Sequence, residues 1–199
     1  MANQKKNTVS EEILEGEEIQ ELPLSEVEAN FNWNSRGNVD SNSGKTAEIK
    51  ASLALNGQEV PAIARPMPGG KRGKQTCSIV CGFTRYQLLS EIAKESGNKN
   101  PTIKVVVRSM TEAEALKLNV RENMARETLS DADLVFAVGR LIKLEPAITD
   151  TALGQSIGMS QPYAGTLKKI ASKIKPTILT DWRENKVTKD PATPDAKAR

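Results

Sequence analysis

TCSIVCGFTRYQLLSEIAKE, residues 76–95, is the stretch whose reading decides the fold. Up to Cys81 it is a short apolar run bounded by turn residues, which predicts a buried strand. From Gly82 the pattern changes, and Tyr86, Leu88, Leu89, Ile92 and Ala93 cluster on one helical face up to Glu95. Strand, glycine and helix therefore follow one another without a break. Cys77 and Cys81 stand four apart on the strand, so they share a side and read as small buried residues. Upstream, VPAIAR (60–65) predicts a partner strand, and MPGGKRGKQ (67–75) makes the pair a hairpin with a long tip. Downstream, IKVVVR (103–108) is a continuous β-branched run of the kind buried in a sheet.

Further out, IQELPL (19–24) predicts a short strand ending at Pro23, and Thr46–Asn56 predicts a helix with Ile49, Leu53 and Leu55 at near-helical spacing, stopped by Gly57. NWNSRGNVDSNSG (32–44) reads as a loop. Thr111 and Glu114 fit a capping box, in which hydroxyl and carboxylate each satisfy a free backbone N–H. Ser130 and Asp133 repeat the device and open a helix with Leu134, Val138, Leu141 and Ile142 inside, ended by Pro146. Strands thus stop in the first half and only helices follow. The fold class expected is α+β: a mixed domain at 19–127, then an all-helical domain at 128–187. Residues 1–18 read as a disordered acidic tail and 188–199 as a polar tail or linker.

Composition narrows the chemistry. The 199 residues contain no histidine, which excludes Ser-His-Asp and Cys-His catalysis and histidine-based zinc or iron sites. Two cysteines make neither a four-Cys metal site nor a disulfide framework. No apolar run approaches the roughly 18 residues that span a bilayer, and the first residues lack the apolar core of a signal peptide, so a cytoplasmic setting and no membrane partner are expected. The net charge of +3 hides an asymmetry: residues 1–30 carry −6 and the remainder +9. A basic body favours nucleic acid or phosphate ligands, although a solvated mixed surface has the same balance.

The helical half holds the most informative spacing. ITDTALGQSIGMSQPYAGTLKKI (148–170) reads as helix-turn-helix, with Gly158 supplying a left-handed turn, Ser160 an N-cap and Pro162 tolerated in the first turn. Tyr163, Leu167 and Ile170 recur at i, i+4, i+7 and predict the inner stripe. Gln161, Gly165, Thr166, Lys168 and Lys169 are then expected outward, a mix suited to base edges and phosphates. An αα-hairpin with no role on DNA is the other reading. VCGFTRYQLL (80–89) puts Gly82 before a helix N-terminus, where free N–H groups bind anions and Arg85 would add a charge-assisted donor; a plain turn is the bland alternative. RENMARETLS (121–130) gathers Arg121, Glu122, Asn123 and Arg126 at a helix end, which suits Mg2+ and phosphate, or simply a solvated surface. GGKRGKQT (69–76) fails as a P-loop, because Pro68 stands where its first glycine belongs and Gln75 follows Lys74.

Taken in order, these segments resemble the ParB family of plasmid and chromosome partition proteins. LPLSEV (22–27), GQEVPAIARP (57–66), GFTRYQLL (82–89), ENMARETLS (122–130) and LGQSIGMSQPYAGTLKKI (153–170) are similar to successive family motifs, over roughly residues 20–185. The E-N-x-x-R element and its distance from the helix-turn-helix are the specific part. The resemblance implies a ParB/sulfiredoxin-like N-terminal domain that binds a nucleotide, CTP foremost, with Mg2+, and closes as a clamp on DNA. It implies phosphate contacts from Gly82, Phe83, Thr84, Arg85, Arg121 and Arg126, a nucleobase side at Gly57, Gln58 and Pro61, and Mg2+ held by Glu122 and Asn123. Its DNA-contacting set is Ser160, Gln161, Tyr163, Gly165, Thr166, Lys168 and Lys169. The implied partners are double-stranded DNA with a palindromic site, a second N-terminal domain, and a partition ATPase that the acidic tail would dock.

The chain also departs from the family pattern. Phe83 stands where a glutamate implicated in hydrolysis is common, so turnover of CTP is expected to be weak or absent, and sulfiredoxin activity is not expected because its cysteine would fall at Phe83. Gly154 replaces the usual alanine. The family's C-terminal dimerisation domain is not expected, since little more than a polar stretch follows residue 185. A nucleotide hydrolase or DNA nuclease on the same fold, and a helix-turn-helix repressor with a vestigial pocket, remain as alternatives.

Overall fold

The computed structural model describes residues 17–30, 34–35, 44–67, 76–125 and 129–184. The expected tails, most of the 32–44 loop, the basic hairpin tip and Arg126 lie outside the described residues. The chain divides into two compact units, with the boundary between residues 127 and 128.

In the first unit the order is β1 (Ile19–Pro23), a 3-10 turn (Leu24–Glu26), β2 (Val27–Glu28), α1 (Gly44–Asn56), β3 (Ala62–Pro66), β4 (Cys77–Cys81), α2 (Phe83–Ser96), β5 (Thr102–Val107) and α3 (Glu112–Ala125). The five strands form one mixed sheet in the order β1-β5-β3-β4-β2. β3 and β4 are the antiparallel hairpin that 60–81 predicts, with a register shift at Ile63/Ala64, while β5 runs parallel to β3 and antiparallel to β1. Every residue of β4 is buried, including Cys77 and Cys81, which form no disulfide, as a strand inside a sheet covered on both faces requires. Burial pushes the Cys77 thiol pKa up, which disfavours the thiolate.

Strand order implies strong curling. β1 and β2 are the two edges, four strand spacings or about 19 Å apart in a flat sheet. Yet Pro23 and Val27 are four residues apart, a reach of at most about 14 Å. The edges must therefore curve towards each other. The short turn between them is pinned on both sides: Leu24 N–H donates to Pro101 O (2.9 Å) just before β5, and Thr76 N–H donates to Glu26 O (2.9 Å) just before β4.

α3 begins with the expected capping box, in which Thr111 N–H donates to Glu114 Oε2 (2.8 Å) and Glu114 N–H to Thr111 Oγ1 (3.2 Å). The Thr111 N–H and the Thr111 hydroxyl (2.9 Å), both donating to the Glu114 carboxylate, lower its pKa from the ordinary value. Neither β2, only two residues long, nor the eight-residue C-terminal helix described next stands out in the sequence periodicity.

The second unit is α4 (Asp131–Leu144), α5 (Asp150–Ile157), α6 (Gln161–Lys173) and α7 (Pro176–Arg183). α4 opens with the Ser130–Asp133 capping box and buries Leu134, Val135, Val138 and Leu141; Ile142 is only half-buried. α6 packs on both α4 and α5. α7 is tied to α4 by Arg183, whose Nε donates to Asp133 Oδ1 (2.9 Å) while its guanidinium lies 4.0 Å from the Phe136 ring centre. No helix among the described residues is long and apolar enough to cross a membrane.

The turn between α5 and α6 closes on Gly154. A Cβ there would lie 2.8 Å from Met159 O and 3.3 Å from Gln161 N, and both are backbone. Gly154 thus admits the close return of the chain, and Gly158 (φ 77) reverses it. Gly154→Val is expected to destabilise this unit by about 2–3 kcal/mol through overpacking, read as a lower urea midpoint with an unchanged m-value.

Candidate functional site

In the first unit Gly82 and Arg85 stand at the end of β4. Gly82 caps α2 with φ 101, and a Cβ on it would lie 2.8 Å from Ala62 Cβ. Only glycine fits, for both backbone and steric reasons. The same point is 3.7 Å from Arg85 Nη1, so the guanidinium folds back to the helix N-terminus. No acidic residue occupies the first turn of α2. A fourteen-residue helix thus presents its positive end beside an arginine, which suits a phosphate. The Phe83 side chain is buried in the core, so only its backbone can face a ligand.

Next to this end lies a buried polar row on α3: Asn119, Glu122 and Asn123 are 1%, 6% and 7% exposed. Asn119 fastens it. Its Nδ2 donates to Val80 O (2.8 Å), two residues before Gly82, and its Oδ1 accepts from Ser35 N (3.2 Å) and Ser35 Oγ (2.5 Å). Asn123 Nδ2 donates to Asn119 O (2.9 Å) and Ser35 Oγ (3.3 Å). Those nitrogen contacts fix how the Asn123 amide is turned, and an amide ligates a hard cation through its oxygen. Among the described residues no group of three or more Cys, Asp or Glu side chains is placed to hold a metal. A cation here would rest on the Glu122 carboxylate, amide oxygen and phosphate oxygens of a ligand, which fits the habits of Mg2+. Arg121 is exposed on α3, on the side away from the buried row. Asn119 and Ser35 are absent from the expected set. Asn119 carries a signal all the same, since it stands four before Asn123 and three after the buried Leu116 on one helical face.

The segment expected beside a base is placed differently. Gly57 (φ 72) ends α1, and Pro61 is buried just before Ala62, the residue that touches Gly82. Gln58 is 7% exposed and tied into the sheet. Its Oε1 accepts from Lys104 N (2.7 Å), and its Nε2 donates to Lys104 O (2.8 Å) and Val60 O (3.0 Å). The amide stands in for a strand residue, extending the parallel β3–β5 ladder below Ala62. Both its N–H donors are spent on backbone, which leaves none for a base. A cleft of about 270 Å3 opens beside it, lined by Gly57, Gln58, Leu89, Ile92, Thr102 and Lys104 among others.

In the second unit the face of α6 is rotated from the expected one. Leu167 is buried, but Tyr163 and Ile170 are 38% and 37% exposed. The inner stripe is Ala164, Leu167 and the half-buried Ala171, which faces Gly139 of α4. Small residues win because they let the helices approach closely. Gly165, expected outward, is buried against α5: a Cβ on it would lie 2.7 Å from Asp150 Oδ2. Lys168, also expected outward, is on the inner side; Gln161, Thr166 and Lys169 are exposed. Ser160 caps α6 by backbone geometry without a side-chain bond. Tyr163 OH donates to Asp131 Oδ1 (3.0 Å), and burial first, then this carboxylate, raises the phenol pKa.

No protein-family model matches the chain. A nucleoid occlusion protein of Bacillus pumilus is 25% identical to it over 166 residues, covering 82% of this chain and 52% of that protein. A putative replication protein B of Sinorhizobium fredii is 30% identical over 135 residues, covering 68% of this chain and 37% of that protein. The chain therefore spans about half or less of the length of these curated relatives. Among solved structures, a Pnob8-like ParB-N domain is similar in fold, with a TM-score of 0.51 and 15% identity over 83% of this chain and 72% of that one. Similarity to these relatives over most of the chain, together with a fold shared with a ParB-N domain, supports a ParB-family protein.

Proposed function

We propose that the chain is a sequence-specific DNA-binding partition protein of plasmid or nucleoid whose first unit binds CTP with Mg2+ and thereby closes, with a second copy, around DNA. The observation that carries the nucleotide half is that Gly82 and Arg85 stand at the end of β4, and that Asn119, one turn before Asn123 in the buried polar row of α3, is fastened to the same strand through Val80 O. Gly82 opens the anion site, Arg85 supplies a charge-assisted donor, and Glu122 with Asn123 holds the cation that offsets phosphate charge. The motif resemblance argues for CTP. Phe83 is buried and supplies no carboxylate at the position where the family commonly has a glutamate implicated in hydrolysis, so hydrolysis is expected to be slow and binding to be the working event. The DNA half rests on the exposed face of α6, with Gln161 and Thr166 towards bases and Lys169 towards phosphate. The acidic segment before β1 is the proposed docking site for a partition ATPase.

Calorimetric titration of the chain with CTP, ATP and GTP, with and without Mg2+, tests the first half. CTP is expected to bind, Arg85→Ala to weaken it at least about tenfold, and Glu122→Gln to remove the Mg2+ dependence. Absence of binding by every nucleotide would leave a repressor with a vestigial pocket. Anisotropy with family-type palindromic duplexes tests the second half, where Gln161→Ala is expected to relax base preference at one position by about 1–3 kcal/mol.

A further inference from the structure

Three lysines close the α6 region of the second unit, and the structure separates them into two kinds. Lys168 Nζ donates to Ile148 O (2.5 Å) and lies 3.4 Å from Asp150 Oδ1, so its charge is spent on the chain entering α5. It sits four residues after the buried Ala164 and beside Leu167, on the packed side of α6. The Asp150 carboxylate that it meets is also the group against which Gly165 packs. Lys168, Asp150 and Gly165 therefore form one joint between the two helices. Lys169 and Lys173 lie elsewhere. With Pro162 and Thr166 they recur at i, i+4, i+7 and i+11, and all four are exposed. That stripe is centred on the side of α6 opposite Ala164 and Leu167. No described residue pairs with either lysine.

We propose that Lys173, together with Lys169, is a phosphate-contacting residue of the recognition face, and that Lys168 is a positioning residue that locks α6 onto α5 and never reaches DNA. The proposal rests on the DNA-binding reading above and changes its residue assignment. Two adjacent lysines of the same type have opposite tasks because one helical step of 100° carries Lys168 to the packed side and Lys169 to solvent.

The test is the salt dependence of binding by the whole chain to a short labelled DNA duplex of mixed sequence, followed by anisotropy. Each phosphate contact adds about 0.9 to the slope of log K against log salt. Lys169→Gln and Lys173→Gln are each expected to lower the slope by about that amount. Lys168→Gln is expected to leave the slope unchanged. It should also lower the thermal midpoint, and combining it with Asp150→Asn should lower that midpoint by less than the sum of the two single changes. An unchanged slope in Lys173→Gln, or a drop in Lys168→Gln equal to that of Lys169→Gln, overturns the assignment. A wild-type chain without salt-dependent binding overturns the DNA reading and the role of Lys173 with it. The thermal cycle judges the joint separately, and additive midpoints there overturn it.

Discussion

Asn119→Ala is expected to destabilise the first unit by about 3–4 kcal/mol and to abolish nucleotide binding together. The side chain is 1% exposed and makes three hydrogen bonds, one to Val80 O and two from Ser35. Truncation removes all three and leaves the Val80 carbonyl and the Ser35 N–H without those partners in a buried setting. Each such loss costs roughly 1–3 kcal/mol, and the polar void adds to it. Domains of this size hold only about 5–15 kcal/mol in total, so the effect is a large share. Amide exchange gives the readout: protection at β4 should fall while that of α4–α6 stays, and the calorimetric signal for CTP should vanish. Unchanged β4 protection would show that Asn119 does not hold this strand end to α3.

Gly82→Ala is the second large effect, expected at about 2–5 kcal/mol with loss of the anion site. Two costs add. A φ of 101 strains any side-chain-bearing residue, worth about 1–2 kcal/mol. The new methyl would stand 2.8 Å from Ala62 Cβ, an overlap worth about 1–3 kcal/mol if β3 shifts to relieve it. The two parts separate in a double variant. Adding Ala62→Gly should recover the steric share and leave the backbone share, so urea midpoints should fall between wild type and Gly82→Ala. Full recovery would show that backbone strain at this position is negligible.

Much of the fold is legible in the sequence because it rests on local chemistry. The capping boxes at Thr111–Glu114 and Ser130–Asp133 need only residues three apart, and both form. Gly57 announces a helix stop and Gly158 a left-handed turn by their position after periodic runs, and both have positive φ. The hairpin of β3 and β4 and the helix after Gly82 follow from a change of period within one stretch. The site was partly legible for the same reason: Gly82 and Arg85 are one turn apart, and Glu122 is adjacent to Asn123. What holds these pairs together was less visible. Ser35 and Asn119 are 84 residues apart, and Gln58 and Lys104 are 46 apart. A buried amide that replaces a strand residue, as Gln58 does, looks in sequence like any other polar residue near a helix end.

The sequence by itself determined where strands and helices begin, which glycines turn the chain, and that a strand–glycine–helix junction and an E-N pair belong to one protein, because these depend on contacts within a few residues. Only the tertiary structure decided the strand order and its curl, the fastening of α3 to β4 through Asn119, and the rotation of α6. Hydrophobicity ranks Tyr163 and Ile170 above Ala164 and Gly165 as inner residues. Helices that approach closely reverse that ranking, since a small side chain excludes water from a narrow interface while a large one holds the helices apart. The same rotation carries Lys168 to Asp150 and leaves Lys169 and Lys173 outside. Charge and composition are indifferent to such a turn of one helix, which is why packing had to settle it.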